Sequence, residues 1–257
     1  MIDLYNYSLL TIALLGLAAI LAAVEVGHWL GTRAGPGDDN VPTLEGAVIG
    51  LLALLLGFTF AMALSRFEAR RDAVLNEANA IGTTALRARL LPEPHRKEAL
   101  SLLKEYVKIR LDLTQRPVTN ADLATAIEKS NTLQEALWQQ ATAAAASDHS
   151  MVPTGLFIQT LNEMIDDQAK RLAALRNRVP NIVVLALFGI ATTAGAFLGY
   201  ASGLDARRSR LPVYVMGLVV WTVIVLIMDL DRPGTGFIKV SQQPMIDTAA
   251  TIARFSD

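Results

Sequence analysis

The chain has 257 residues, 52% of them hydrophobic, with a formal net charge of −1. Its mean hydropathy of +0.36 is high for a soluble domain, so the apolar excess must be concentrated in particular segments. The near-neutral charge gives no reason to expect nucleic acid as a partner. With no cysteine in the chain, disulfides, thiolate metal sites and cysteine nucleophiles are excluded.

The apolar excess falls in four uncharged runs, Leu4–Val24, Gly46–Ser65, Val179–Leu204 and Leu211–Met228. A helix needs about 20 apolar residues to cross a bilayer, and all four runs qualify. The first lacks a basic leader, since Met1 to Ser8 holds Asp3 and no Lys or Arg, and its apolar part is too long for a signal peptide. It reads as a retained span. Glu25 and His28, three residues apart on one helix face, follow it. An ionisable pair at membrane depth is a functional candidate. The competing reading places both at the interface, snorkelling to water and pairing with each other.

Glu45 opens the second span, where an acidic group suits the helix dipole. From Gly46 to Asp72 the apolar run passes into a charged helix with no glycine or proline at the change. Gly50, Leu54, Phe58 and Ala61 share one helical face. A ring of Leu54 and Phe58 around an axis would form an apolar constriction able to gate by dewetting. Arg66, Arg70 and Arg71 follow, and as a cluster would concentrate anions at a cytoplasmic mouth. In the alternative, Leu54 and Phe58 pack against neighbouring spans and the arginines meet lipid headgroups.

Residues 65–179 carry 16 of the 23 Lys+Arg and 14 of the 24 Asp+Glu, so they form a solvated region between two apolar pairs. The second span continues to about Leu90, with Val74, Ala78, Ile81, Ala85 and Ala88 inward, and stops at Leu91-Pro92-Glu93-Pro94. Another helix covers His95–Thr114, with Leu100, Leu103, Val107 and Leu111 on one face, and ends at Arg116-Pro117. A third starts near Asn120, a favourable cap, and runs through Leu123, Ile127 and Leu137 to Ala146. After a loop, Thr154–Val179 shows the stripe Leu161, Ile165, Ala169, Leu172, Leu175 and enters the third span through a kink at Pro180. No strand pattern appears.

In the third span Ala191, Gly195, Gly199 and Gly203 recur every four residues. That small-residue ridge suits tight helix packing, within a subunit or between subunits. The fourth span ends in Asp229, Asp231 and Arg232. Asp229, in apolar surroundings, is expected to pair with a cation, Arg232 or else Arg66 or Arg70. A short amphipathic helix follows Gln243-Pro244.

Enzymatic chemistry has no positive support. Ser147-Asp148-His149 are consecutive and cannot form a relay. The loop glycines Gly31, Gly35 and Gly37 lack a preceding strand. No catalytic residue, metal site or cofactor is expected. Four spans put both termini on one side with the middle region. Basic residues near span ends favour that side, with Arg66, Arg70, Arg71, Lys170, Arg171, Arg176, Arg178, Arg232 and Lys239 against Arg33, Arg207, Arg208 and Arg210. Short basic flanks stay in the cytoplasm, so both termini are expected inside. The expected organisation is an all-α membrane protein of four transmembrane helices, 1–64 and 180–230. A cytoplasmic helical region, 65–179, is inserted between the second and third, and 231–257 form a cytoplasmic tail.

Leu56-Gly57-Phe58 followed by Ser65-Arg66-Phe67 resembles the second transmembrane helix of bestrophins. Leu230-Asp231-Arg232-Pro233, then Gly236-Phe237-Ile238-Lys239-Val240-Ser241 and Pro244, resembles the C-terminal signature of a bacterial bestrophin-like family of unknown function. The resemblance implies a pentameric, anion-selective channel in the bacterial inner membrane, in contact with lipid and inorganic ions. It places Phe58 and Leu54 at neck positions. Gly50 departs from the pattern and implies a wider or displaced constriction. Calcium control does not carry over, because the acidic cluster is reduced to Asp229 and Asp231. The alternative function is a non-conducting membrane scaffold or sensor whose helical region binds a protein partner.

Overall fold

The structure, a computed structural model, describes residues 7–34, 41–115, 120–147, 152–204, 209–234 and 236–255. These residues form eight helices: α1 (Leu9–Ala34), α2 (Val41–Ala88), α3 (His95–Gln115), α4 (Asn120–Ser147), α5 (Val152–Arg176), α6 (Asn181–Leu204), α7 (Leu211–Leu230) and α8 (Gln243–Ala253). No strand occurs among the described residues. Asp148, His149, Arg116, Arg207, Arg208, Gly35 and Gly37 lie outside them.

The local reasons are readable. The Ser8 hydroxyl accepts the Thr11 N–H at 3.0 Å and caps α1. α7 begins with Pro212, tolerated in the first turn because no N–H is needed there. The single kinked helix expected through Pro180 does not form. α5 stops at Arg176, residues 177–180 are non-helical, and α6 starts afresh at Asn181. Pro180 disfavours a helical Val179, and the freed Val179 N–H is donated to Asp231 Oδ2 at 2.7 Å.

The chain divides into two compact units, Met1–Phe67 with Arg178–Lys239, and Glu68–Asn177 with Val240–Asp257. The continuous helix α2 contributes to both. Four helices are long and apolar enough to cross a membrane.

The first unit is built on close α1–α6 packing. A Cβ on Gly199 would collide with the Val24 carbonyl, and one on Gly203 with the His28 carbonyl. From the other side, Gly27 abuts the Ala196 carbonyl and Gly31 the Tyr200 carbonyl. Ala191 is buried, and a Cβ on Gly195 would lie 3.4 Å from Val24 Cγ2. The small-residue ridge is therefore occupied within one subunit, where backbones touch and dispersion contacts accumulate. Trp221 anchors α7 by donating its indole N–H to the Ala13 carbonyl at 2.7 Å.

The second unit encloses a core of Ala78, Ile81, Leu100, Leu103, Leu137, Phe157, Leu161 and Met164, with Met245 and Ile252 added by α8. The inward face of α5 differs from the expected stripe. It carries Phe157, Leu161, Met164, Gln168 and Arg171, while Ala169 is exposed. An apolar periodicity could not locate that face, because two of its positions are polar and satisfied from other helices.

Candidate functional site

On α2 the membrane-spanning part has two unlike faces. Leu52, Thr59 and Ala63 are buried, with the Thr59 hydroxyl donating to the Leu55 carbonyl at 2.7 Å. Turned away from these are Gly50, Leu54, Phe58 and Ala61, all exposed in the subunit; Leu54 is 55% and Phe58 64% accessible. A Cβ on Gly46, Gly50 or Gly57 would meet nothing within 4 Å. Gly16, Gly27 and Gly31 of α1 and Gly195, Gly199 and Gly203 of α6 each abut a neighbouring helix, whereas Gly46, Gly50 and Gly57 of α2 do not.

Helical register carries the exposed face onward to Ser65, Glu68 and Asp72, all exposed. The arginines do not share it. Arg66 is half-buried and Arg70 is 2% exposed, in register with buried Thr59 and Ala63. Arg71 is exposed but lies to one side.

The ionisable residues near span ends find separate partners. His28 Nδ1 lies 3.0 Å from Ser202 Oγ, and that hydroxyl donates to the Gly199 carbonyl at 2.7 Å. Nδ1 is accordingly the donor in the first bond. Glu25 accepts the Tyr214 hydroxyl and stands 3.9 Å from Arg210. The Glu25–His28 pairing weighed from sequence does not form. Glu45 sits half-buried in the second turn of α2.

Asp229 contradicts its expected cation pairing. It is 4% exposed and accepts the backbone N–H groups of Phe237 and Ile238 at 2.7 and 2.9 Å. Backbone donors stabilise a buried carboxylate as a cation would. Gly236 makes this close turn possible, since a Cβ there would come 2.9 Å from the Asp229 carbonyl. Arg232 Nη1 donates to the Tyr7 carbonyl at 2.7 Å. Together with the Asp231–Val179 bond, the Asp229-Leu230-Asp231-Arg232 segment locks the end of α7. Asp229→Ala should leave the partly buried Phe237 and Ile238 N–H groups without their acceptor and cost about 0.5–1.5 kcal/mol for each. The resulting drop in Tm, absent in an exposed control such as Lys239→Ala, checks this.

Sequence reasoning missed a polar cluster in the core of the second unit. Glu77 of α2 is fully buried and meets Arg110 Nε at 2.7 Å and Arg171 Nη1 at 2.5 Å. The Tyr106 hydroxyl donates to Gln168 at 3.2 Å and accepts from Gln134 at 3.3 Å. Arg171 Nη2 reaches Gln242 at 2.9 Å. Burial, then the Glu77 charge, pushes the Tyr106 phenol well above its usual range. Burial lowers the Arg171 guanidinium while Glu77 opposes that shift. One signal was present in the sequence: Glu77 interrupts the apolar stripe between Val74 and Ile81. Among the described residues no group of His, Cys, Asp or Glu could hold a metal ion.

Comparison with known proteins places this architecture. A family model described as a bestrophin-like domain matches residues 12–245. The chain belongs to the bestrophin-like family. Solved structures of point variants of a bacterial bestrophin homologue from Klebsiella pneumoniae share the fold. One has a TM-score of 0.69 at 18% identity, covering 96% of each chain. A second has a TM-score of 0.68 at 17% identity, again covering 96% of each. A crystal structure described as a membrane protein matches at TM-score 0.67 and 16% identity, covering 96% of each chain. No curated protein matches the sequence. The bestrophin-like chain is thus an all-α membrane protein with four candidate spans and a helical region between the second and third.

Proposed function

We propose that this bestrophin-like chain is a subunit of a homo-oligomeric, pentameric ion channel of the bacterial inner membrane, with α2 lining the conduction path. The observation that carries this reading is the exposed face of α2. Gly50, Leu54, Phe58 and Ala61 are uncovered in one subunit, although the same helix buries Leu52, Thr59 and Ala63. Copies arranged around an axis would bring those faces together as an apolar neck, which conducts when wetted and closes when dry. The open glycines Gly46, Gly50 and Gly57 leave room for neighbouring copies of α2 to approach. Both termini and the helical region 65–179 lie in the cytoplasm in this reading, following the basic flanks.

The family resemblance implies anions, but the register of α2 favours cations. Glu68 and Asp72 continue the neck face, whereas Arg70 is buried. Rings of carboxylates near a narrow path enrich cations through the local field.

The test is ion flux through the reconstituted protein under a potassium chloride gradient. A reversal potential on the potassium side supports the register, one on the chloride side supports the arginine cluster, and Glu68→Gln with Asp72→Asn should weaken the former. Phe58→Ala is expected to raise conductance several-fold if the ring limits flow; unchanged currents would remove Phe58 from the neck. A verified oligomer that passes no ion under varied voltage and pH would leave the scaffold or sensor reading, in which the spans anchor and the helical region binds a partner.

A further inference from the structure

We infer that the turn following α7 is seated in the bilayer rather than in water. Phe237 inserts at the acyl–headgroup boundary of the leaflet in which α7 ends, and Lys239 meets the phosphates of anionic lipid beside it. The inference requires only that α7 crosses the membrane, not that the protein conducts ions.

The span of α7 ends at Leu230, but the chain does not leave that level at once. Asp229, in the last turn, accepts the N–H groups of Phe237 and Ile238 at 2.7 and 2.9 Å, so their backbone stays where the span stops. Ile238 is half-buried and packs against the apolar core of the membrane-spanning unit. Phe237, fixed between Ile238 and the buried Gly236, is 89% exposed, more than any other large hydrophobic residue described. Lys239, on the other side of Ile238, is exposed as well.

A lone apolar side chain on a soluble surface needs no explanation, so depth and charge must decide. Tyr7, half exposed, lies at the same end of the unit, because its carbonyl accepts Arg232 Nη1 at 2.7 Å. Tyr7 and Trp29 bracket α1, and roughly 33 Å separates them at about 1.5 Å per residue, close to the roughly 30 Å of the hydrocarbon core. Trp29, also half exposed, marks one interface, and Tyr7 with Phe237 marks the other. The carboxylates at this end, Asp229 and Asp231, are buried on backbone N–H groups, whereas Lys239 and Arg178 are exposed, so the surface is positive. A neighbouring protein covering the ring would have to strip water from the ammonium beside it. A bilayer interface takes both, the ring among acyl chains and the cation among phosphates, each such cation contributing about 1 kcal/mol at an anionic surface.

The chain has no cysteine, so Phe237→Cys places a single bimane dye on the turn, and the Asp229 bonds hold the backbone that carries it. The full chain is reconstituted in vesicles of phosphatidylcholine and phosphatidylglycerol, with one lipid or the other brominated. Bromines near the headgroup should quench the dye more than bromines at the chain ends. Brominated phosphatidylglycerol should quench more than brominated phosphatidylcholine at equal mole fraction. Lys239→Gln in the same background should reduce that preference roughly fivefold, the effect of about 1 kcal/mol, and leave the depth unchanged. Lys239→Cys, dyed in a chain that keeps Phe237, should also be quenched by bromines near the headgroup, and it reports even if the first variant fails to fold. Quenching by aqueous iodide alone would put the turn in water, and quenching by neither iodide nor bromine would put it against a neighbouring copy. Either result overturns the inference. Equal quenching by the two lipids, unmoved by Lys239→Gln, would overturn the anionic assignment.

Discussion

Glu77→Ala is expected to destabilise the second unit by about 3–5 kcal/mol, the cost of removing one partner from a buried ion cluster. Two guanidiniums, Arg110 and Arg171, would remain in the core without the carboxylate that both contact. Against a total stability of roughly 5–15 kcal/mol for a domain, that is a large fraction. Thermal unfolding should show a fall in Tm on the order of 10 °C. The cluster also links α2, α3 and α5 to Gln242, just before α8, so the loss should reach α8 as faster amide exchange. An apolar replacement of the whole set, Glu77→Leu with Arg110→Met and Arg171→Met, should recover much of the stability, because no charge is left buried. A Glu77→Ala protein that melts within about 2 °C of wild type would show the cluster to be solvated, contrary to its burial.

Gly199→Leu should separate α1 from α6. Its Cβ alone would collide with the Val24 carbonyl, and backbone cannot rotate aside as a side chain can. Overpacking a core costs about 1–3 kcal/mol where side chains can yield, and here the obstacle is main chain. The expected result is loss of the monodisperse species on size exclusion in detergent, with a lowered Tm. Gly57→Ala is the contrast, because a Cβ there meets nothing within 4 Å. Removing a helix-interior glycine should leave the subunit fold unchanged or favour it by up to about 1 kcal/mol. Should Gly57→Ala prove as damaging as Gly199→Leu, the exposed face of α2 would already be filled in the working assembly.

Much of the fold is legible in the residues alone because the signals are local. Apolar runs of span length, the breaks at Leu91-Pro92 and before α8, and the four-residue spacing of Ala191, Gly195, Gly199 and Gly203 each act within a few turns. The neck candidates Gly50, Leu54, Phe58 and Ala61 follow from helical register, and the structure leaves all four exposed in the subunit. Two elements escaped. Pro180 looked like a kink, and became a break because Asp231, 52 positions away, accepts the Val179 N–H. The stripe on α5 was misplaced because Gln168 and Arg171 are buried there.

What tertiary structure alone decided is the fate of the charged and polar groups. Sequence pattern placed Asp229 in apolar surroundings and assigned no role to Glu77. It could not supply the Phe237 and Ile238 N–H groups for the first. Nor could it bring Arg110 and Arg171, 33 and 94 positions away, to the second. An apolar side chain is satisfied by any apolar neighbour, so its pattern alone foretells its burial. A buried charge is tolerable only beside a specific partner in hydrogen-bond geometry, and only the folded chain determines which residue that is.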